Sequence, residues 1–245
     1  MSDASGKSIV ALIPARAGSV RIKNKNIKAL AGHPLIAYTI AAAIQSKVFH
    51  TVVVSSEDRD ILTMAKYYGA AVVGRPAAYA TAHSPDIEWV QHALTSLCLL
   101  GSDSDYFAIL RPTSPFRSAA TIQRAWAEYE RSACDSLRAV QPAGVNPYKL
   151  WWLNHHELLP VLPTYDVPPW HSRPSQTLPP CYQQNASLEI SRCDLVRDRL
   201  YPSITGPRIW GFLNPEPDGF DLNTEDDWTR AEQQIASGAW TLPTL

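Results

Sequence analysis

The segment SIVALIPARAGSVRIKNKNIKAL, residues 8–30, joins an unbroken apolar run to a loop carrying five basic residues around one glycine. A run such as SIVALI (8–13) is expected of a strand buried on both faces, the habit of a parallel sheet covered by helices. The loop behind it sets Arg16, Arg21, Lys23, Lys25 and Lys28 at the carboxyl end of that strand. Open α/β sheets bind their ligands at such ends. The segment therefore points to an α/β fold with an anion cradle, against the simpler alternative of a solvated loop.

The flanking sequence repeats the pattern. Pro34 opens a helix whose Ile36, Ile40, Ala43 and Ile44 share one face. TVVV (51–54) reads as a strand, and SSED (55–58) as a capping box leading into a helix with Ile61, Ala65 and Tyr68. AAVVG (70–74) is a short strand; Ile87, Val90, Leu94 and Leu97 mark a helix, and YFAIL (106–110) a further strand. A helix with Ile122, Ala125, Trp126 and Tyr129 then precedes SLRAV (136–140). Alternating strands and helices predict right-handed βαβ units in a doubly wound, mostly parallel sheet. Residues 1–245 read as one such domain.

Residues 142–182 break the rhythm with many prolines and with Trp151, Trp152 and Trp170. That much aromatic area argues against disorder and for an extended arm that packs on a partner subunit, or else for a loop folded over the active site. Regular structure resumes at ASLEIS (186–191) and RIWGFL (208–213). The last helix has Thr224 and Asp227 as its cap and Trp228, Ala231 and Ile235 as its buried stripe.

Formal net charge is −1, so the basic loop is a local concentration and a broad nucleic-acid footprint is not expected. With no secretory h-region and no run of membrane-spanning length, a cytoplasmic protein without membrane contact is expected. The four cysteines form no C-x-x-C pair, and the adjacent His155 and His156 project apart, which disfavours structural zinc.

Three stretches carry candidate chemistry. In ARAGS (15–19), the small residues Ala15, Ala17, Gly18 and Ser19 let a phosphate approach backbone N–H groups, while Arg16, Arg21 and Lys25 supply charge. In GFDLNTEDDW (219–228), Asp221 and Asn223 offer a carboxylate and a carbonyl oxygen at a spacing that can share one Mg²⁺, or that simply caps the helix. LRPTSPFR (110–117) and RPSQTLPPCYQQNASLEI (173–190) set polar side chains beside β runs.

In this order and spacing, IPARAGSVRIKNKNI, GHPLIAYTIAAAIQS, VVVSSED, YGAAVVGRP, LRPTSPFR, QNAS and FDLNTEDDW resemble the CMP-sialic acid synthetase (acylneuraminate cytidylyltransferase) family, from about Ile9 to Ile235. The resemblance implies a nucleotide-diphospho-sugar transferase-like fold with a protruding dimerisation arm, hence a homodimer. It also implies transfer of CMP from CTP to a sialic-acid-like sugar acid with release of pyrophosphate, and Mg²⁺ as cofactor. It assigns Arg16 and Lys25, with Arg21, to the triphosphate and the departing pyrophosphate. Asn26 and Arg75 fall to the cytidine, Asp221 and Asn223 to the metal, and Asn185 to the acceptor sugar.

The sequence also departs from that pattern. Val20 stands where the family has Lys, Ala82 where it has an acidic residue, and Asn223 where it has a second aspartate. In the acceptor motifs Arg111 replaces Gln, Ser175 replaces Arg with Arg173 two residues earlier, and Glu189 replaces Tyr. Loss of a bidentate Arg–carboxylate partner would not be silent. Either Arg111 or Arg173 then serves the acceptor acid, or the acceptor is modified, with Glu189 favouring a hydroxyl or amino substituent. Two other readings remain: a CTP- or GTP-dependent enzyme for a sugar 1-phosphate, with Arg111 as an extra phosphate partner, and a nucleotide-binding protein without turnover.

Overall fold

The computed structural model describes residues 7–19, 21–99, 104–163 and 165–245; Val20 lies outside the described residues. The strands are β1 (Ile9–Pro14), β2 (Ala29–Leu30), β3 (His33–Pro34), β4 (Thr51–Ser56), β5 (Ala71–Gly74), β6 (Tyr106–Ile109), β7 (Ser136–Pro142), β8 (Trp151–Asn154), β9 (Glu157–Pro160), β10 (Tyr182–Arg192) and β11 (Ile209–Leu213). The helices are α1 (Leu35–Ser46), α2 (Arg59–Tyr67), α3 (Asp86–Leu99), α4 (Ala119–Ser132), α5 (Cys193–Arg197) and α6 (Glu225–Ala236).

Seven strands form the central sheet in the order β11-β7-β10-β6-β1-β4-β5. All neighbours are parallel except β10, which runs antiparallel to both β6 and β7. The apolar β1 sits near the middle because both its faces are covered. Ile9, Ala11 and Ile13 pack with residues of α1, α2 and α4, whereas Val10 and Leu12 pack with α3 and α5. This is the two-sided burial that an uninterrupted apolar strand requires.

Strand order reverses at β1: the chain steps outward through β4 and β5, then returns by α3 to lay β6 on the other side of β1. The loops after β1 and β6 diverge at that switch point and leave a crevice at the strands' carboxyl ends. A third apolar cluster, with Ile22, Leu30, Leu35, Tyr38, Phe116, Phe220, Leu222 and Trp228, pins the basic loop and α6 to the same end.

The first helix is as expected, except that Ile44 is exposed. At α2 the expected capping box is a simple cap: Asp58 Oδ1 accepts from the N–H groups of Asp60 and Ile61. The capping box at α6 is complete, with Thr224 and Asp227 exchanging bonds.

The proline-rich stretch is an excursion between the paired strands β7 and β10, closed at its base by Ala143 N–H donating to the Cys181 carbonyl at 2.9 Å. It carries the β8–β9 hairpin, and Lys149 Nζ binds the carbonyls of His171 (2.7 Å) and Arg173 (2.6 Å). Among the described residues, none between 143 and 181 lines either cleft described below. Trp152, Leu153, Leu158 and Tyr165 remain exposed on it.

Candidate active site

Two clefts meet at the switch point. The first, about 410 Å³, runs between the basic loop, residues 79–89 and the loop after β6. The second lies beneath the β10 bulge and the segment before α6. Arg111, Ala186, Asp221 and Asn223 line both.

Of the five basic residues, Arg16, Arg21 and Lys25 line the first cleft. Lys28 turns away to Glu225 (2.8 Å) and stacks over Trp228, and Lys23 is exposed outside it. Ser19 also lines the cleft, while Ala15 is buried beneath it and Gly18 faces solvent beside it. Arg16 reaches across to the Thr81 carbonyl (3.0 Å), and Ala17 N–H donates to Glu57 Oε1 (2.8 Å). Asn26 lines the cleft but spends its amide on the Arg16 carbonyl (2.9 Å). That bond makes Asn26 a brace for the loop.

Lys25 Nζ donates to the Leu222 carbonyl at 2.6 Å. Burial lowers its pKa, Arg21 and Arg16 add to the fall, and Asp221 opposes it. A cation this poorly solvated gains most when a polyanion arrives.

Asp221 Oδ2 accepts from Asn223 Nδ2 (2.6 Å), while Asp221 Oδ1 is buried with no hydrogen-bond partner among the described residues. Asn223 Oδ1 faces Arg21 (3.3 Å), and Asn223 N–H goes to the capping Asp227. The cap is therefore served by Thr224 and Asp227, which leaves Asp221 free of that duty.

At the far end of the first cleft, Arg75 is buried, binds Ser55 Oγ (3.1 Å) and the Ser55 carbonyl (2.7 Å), and lies over the Trp89 ring. Burial pushes its guanidinium down to about 10, with Glu57 and Asp86 opposing.

Sequence reasoning missed the junction between the clefts. Arg111 donates to Asp86 Oδ2 (2.5 Å) and to Glu189 Oε1 (3.1 Å); Arg138 pairs with Glu189 Oε2, and Trp89 Nε1 donates to Asp86 Oδ1 (2.7 Å). Burial pushes Asp86 up, but its bond and charge contact with Arg111 outweigh that and hold it below the usual carboxylate range. Arg111 is thus already neutralised, so it is not the free phosphate or carboxylate partner that the sequence suggested. The signal lay in the sequence as two charged replacements, Arg111 and Glu189, whose adjacency only strand pairing could reveal. Asp86 directly precedes Ile87, the first residue of the helical stripe, and nothing local marks it out.

The second cleft is lined by the carboxamides of Gln141, Gln183, Gln184 and Asn185, with Glu189 behind them. Asn185 sits in the β10 bulge, where the register with β7 shifts between Gln184 and Glu189. Its amide is committed inward, to the Asn214 carbonyl (2.8 Å) and to Ser187. Arg173 is not brought to either cleft. It stays in the excursion, bound to the Pro168 carbonyl (2.9 Å) and near Asp166, and Ser175 is in the same segment.

Comparison with known proteins agrees with this geometry. A family profile described as "Cytidylyltransferase" matches residues 10–142. The CMP-N,N'-diacetyllegionaminic acid synthase of Legionella pneumophila is 31% identical over 231 residues, 92% of this chain and 95% of that protein. The N-acylneuraminate cytidylyltransferase of Escherichia coli is 41% identical over 122 residues, half of this chain but 28% of that longer protein. Among solved structures, CMP:2-keto-3-deoxy-manno-octonic acid synthetase complexed with CTP superposes with a TM-score of 0.68 at 13% identity, covering 95% of this chain and all of that one. The β1 loop, the switch-point crevice and the β6 motif all fall within the matched region or its immediate packing partners, and the chain belongs to the cytidylyltransferase family.

Proposed function

We propose that this protein transfers CMP from CTP to a sialic-acid-like (nonulosonic) sugar acid and releases pyrophosphate. The observation that carries this reading is the convergence of Arg16, Arg21 and Lys25 on one cleft that opens, at Asp221, into a second cleft rich in carboxamides. The first suits a triphosphate, the second a polyhydroxylated, acylated sugar.

In this reading the acceptor's anomeric hydroxyl attacks the α-phosphorus as the bond to the oxygen bridging to the β-phosphate breaks; pyrophosphate leaves and the hydroxyl proton passes to solvent. Little covalent chemistry falls to the protein, which positions the reactants and meets the developing charge. Lys25, freed from the Leu222 carbonyl, and Arg16 stabilise the leaving pyrophosphate, with Arg21 beside them. Arg75 and Trp89 shape the nucleoside end.

The partnerless Asp221 Oδ1 fits a hard cation, with Asn223 as a neutral neighbour whose carbonyl oxygen would first have to leave Arg21. Bound there, Mg²⁺ would neutralise phosphate charge as the pyrophosphate departs. A homodimer formed through the exposed apolar hairpin belongs to the same proposal.

The test is pyrophosphate release by purified protein with CTP, other nucleoside triphosphates, and a panel of nonulosonic acids and sugar 1-phosphates. CTP-dependent turnover with a nonulosonic acid is expected. Turnover with sugar phosphates alone would replace the acceptor, and tight CTP binding with no release under any condition would leave a nucleotide-binding protein.

A further inference from the structure

The two largest departures in the acceptor motifs are each other's partner. β6 and β10 are antiparallel neighbours, with Glu189 in register with Ile109, so Arg111 rises two residues beyond the facing position. There its NH2 group reaches Glu189 Oε1 at 3.1 Å. Asp86 and Arg138 complete a set of two guanidinium groups and two carboxylates whose formal charges cancel.

The exposures of the pair differ. The Glu189 side chain is 5% exposed and the Arg111 side chain 24%, and Arg111 lines both clefts. An approaching ligand therefore meets the Arg111 edge, with Glu189 behind it. A free guanidinium at this junction would draw any anion. One already bonded to two carboxylates still donates N–H bonds, but the charges of Asp86 and Glu189 offset most of its attraction for an incoming anion.

We propose that Arg111, neutralised and oriented by Glu189 and Asp86, determines acceptor specificity by donating to a neutral oxygen of the sugar, a hydroxyl or an N-acyl carbonyl, and by rejecting an anionic group at that position. Glu189 is the positioning residue of the pair. The neighbouring Gln141, Gln183 and Gln184 suit the same neutral, amide-bearing class of acceptor. This inference rests on the sugar-acid reading above.

The experiment compares wild type with Glu189→Gln and Glu189→Asp, using sugar acids that differ at one ring substituent: hydroxyl, acetamido or the anionic succinamido group. Glu189→Gln is expected to erode the preference in kcat/KM for neutral over anionic substituents by about tenfold or more. Glu189→Asp, which keeps the charge, should hold the preference within about threefold. CTP affinity, measured by calorimetry, should change little in either. A uniform fall for all acceptors, with the ratio unchanged, would overturn the inference and leave the pair a merely structural one.

A second readout needs no turnover. Sulfate should raise the melting temperature of Glu189→Gln by about 2 °C more than that of wild type, because Arg111 becomes an anion site. Equal protection of both proteins would also overturn the inference. If wild type releases no pyrophosphate with any sugar acid, the proposed function falls, and the sulfate comparison alone decides the role of the pair.

Discussion

Lys25 Nζ donates to the backbone carbonyl of Leu222 at 2.6 Å, tying the basic loop after β1 to the residue beside Asp221. The two segments lie 197 residues apart, and α6 with its apolar cluster is what brings them together. The contact also parks a desolvated cation on a neutral oxygen that a phosphate can displace. Lys25→Met is therefore expected to lower kcat by roughly 10²–10³-fold, the usual loss when one group meeting transition-state charge is removed. Single-turnover pyrophosphate release checks this, and an unchanged rate would remove Lys25 from the mechanism.

The depressed pKa of Lys25 gives two opposite pH dependences. In the folded protein burial first, then Arg21 and Arg16, lower it below the ordinary 10.5. Activity that needs the charged form should therefore fade on the alkaline side before pH 10.5, earlier than for an ordinary lysine. Between the lowered value and 10.5 the unfolded chain binds more protons than the folded one, so stability from this group rises with pH. At neutral pH and below, the cost of the buried charge is fully present. The melting-temperature difference between wild type and Lys25→Met, followed from pH 7 to 10.5, should move in favour of wild type. A flat difference would contradict the assignment.

Much of this fold was legible because one period dominates each segment. SIVALI, TVVV and YFAIL are apolar without interruption and became the central parallel strands, while the helical stripes from Ile36 to Tyr129 kept their 3.6-residue spacing apart from the exposed Ile44. The loop chemistry was legible in part: Arg16, Arg21 and Lys25 reach the cleft, but Lys28 is claimed by Glu225 and Trp228. What failed were contacts made by strand pairing. Arg111 with Glu189, and Asn185 with Asn214, depend on register and a bulge, which no local pattern encodes. Arg173 failed for a related reason, since nothing in its neighbourhood says which way a proline-rich excursion points.

Asp221 and Asn223 separate a metal role from a capping role. Asp221→Asn should raise the Mg²⁺ concentration needed for half-maximal activity by about tenfold or more, since hard cations depend on carboxylate charge. Asn223→Asp adds a second carboxylate and should lower it by several-fold. Thermal stability should scarcely change with Asp221→Asn, because Thr224 and Asp227 hold the cap, whereas Asn223→Asp replaces the donor to Asp221 with a second carboxylate and should lower it in the absence of Mg²⁺. A large loss of stability with an unchanged Mg²⁺ requirement would make both residues structural.

Arg117 is fully buried with no carboxylate within salt-bridge distance among the described residues. It binds the Arg111 carbonyl (3.4 Å), the Ser187 carbonyl and Thr39 Oγ1 (3.1 Å). Burial pushes its guanidinium down to about 9, with Asp218 opposing, so it stays charged at neutral pH. It thereby links the loop after β6 to the bulge of β10. Arg117→Met should cost about 2–3 kcal/mol by leaving buried carbonyls without that donor. Denaturant unfolding measures this, and a loss below 0.5 kcal/mol would show that the carbonyls find other partners.

Gly219 offers the sharpest separation of the two clefts. A Cβ there would lie 2.0 Å from the Asn214 carbonyl oxygen and 2.6 Å from Asn185 Nδ2, and the first of these is backbone that cannot swing aside. Gly219→Ala must therefore break the bond from Asn185 to the Asn214 carbonyl and shift the bulge that shapes the second cleft. Overpacking of this kind costs typically about 1–3 kcal/mol. Gly219 lines the second cleft and not the first, so acceptor KM should rise by about tenfold or more while CTP affinity stays near that of wild type. Calorimetry with CTP alongside steady-state kinetics in the acceptor reads both quantities from one preparation. Equal losses for nucleotide and acceptor would mean that the two clefts move as a unit, and that Asn185 does not act on the acceptor side alone.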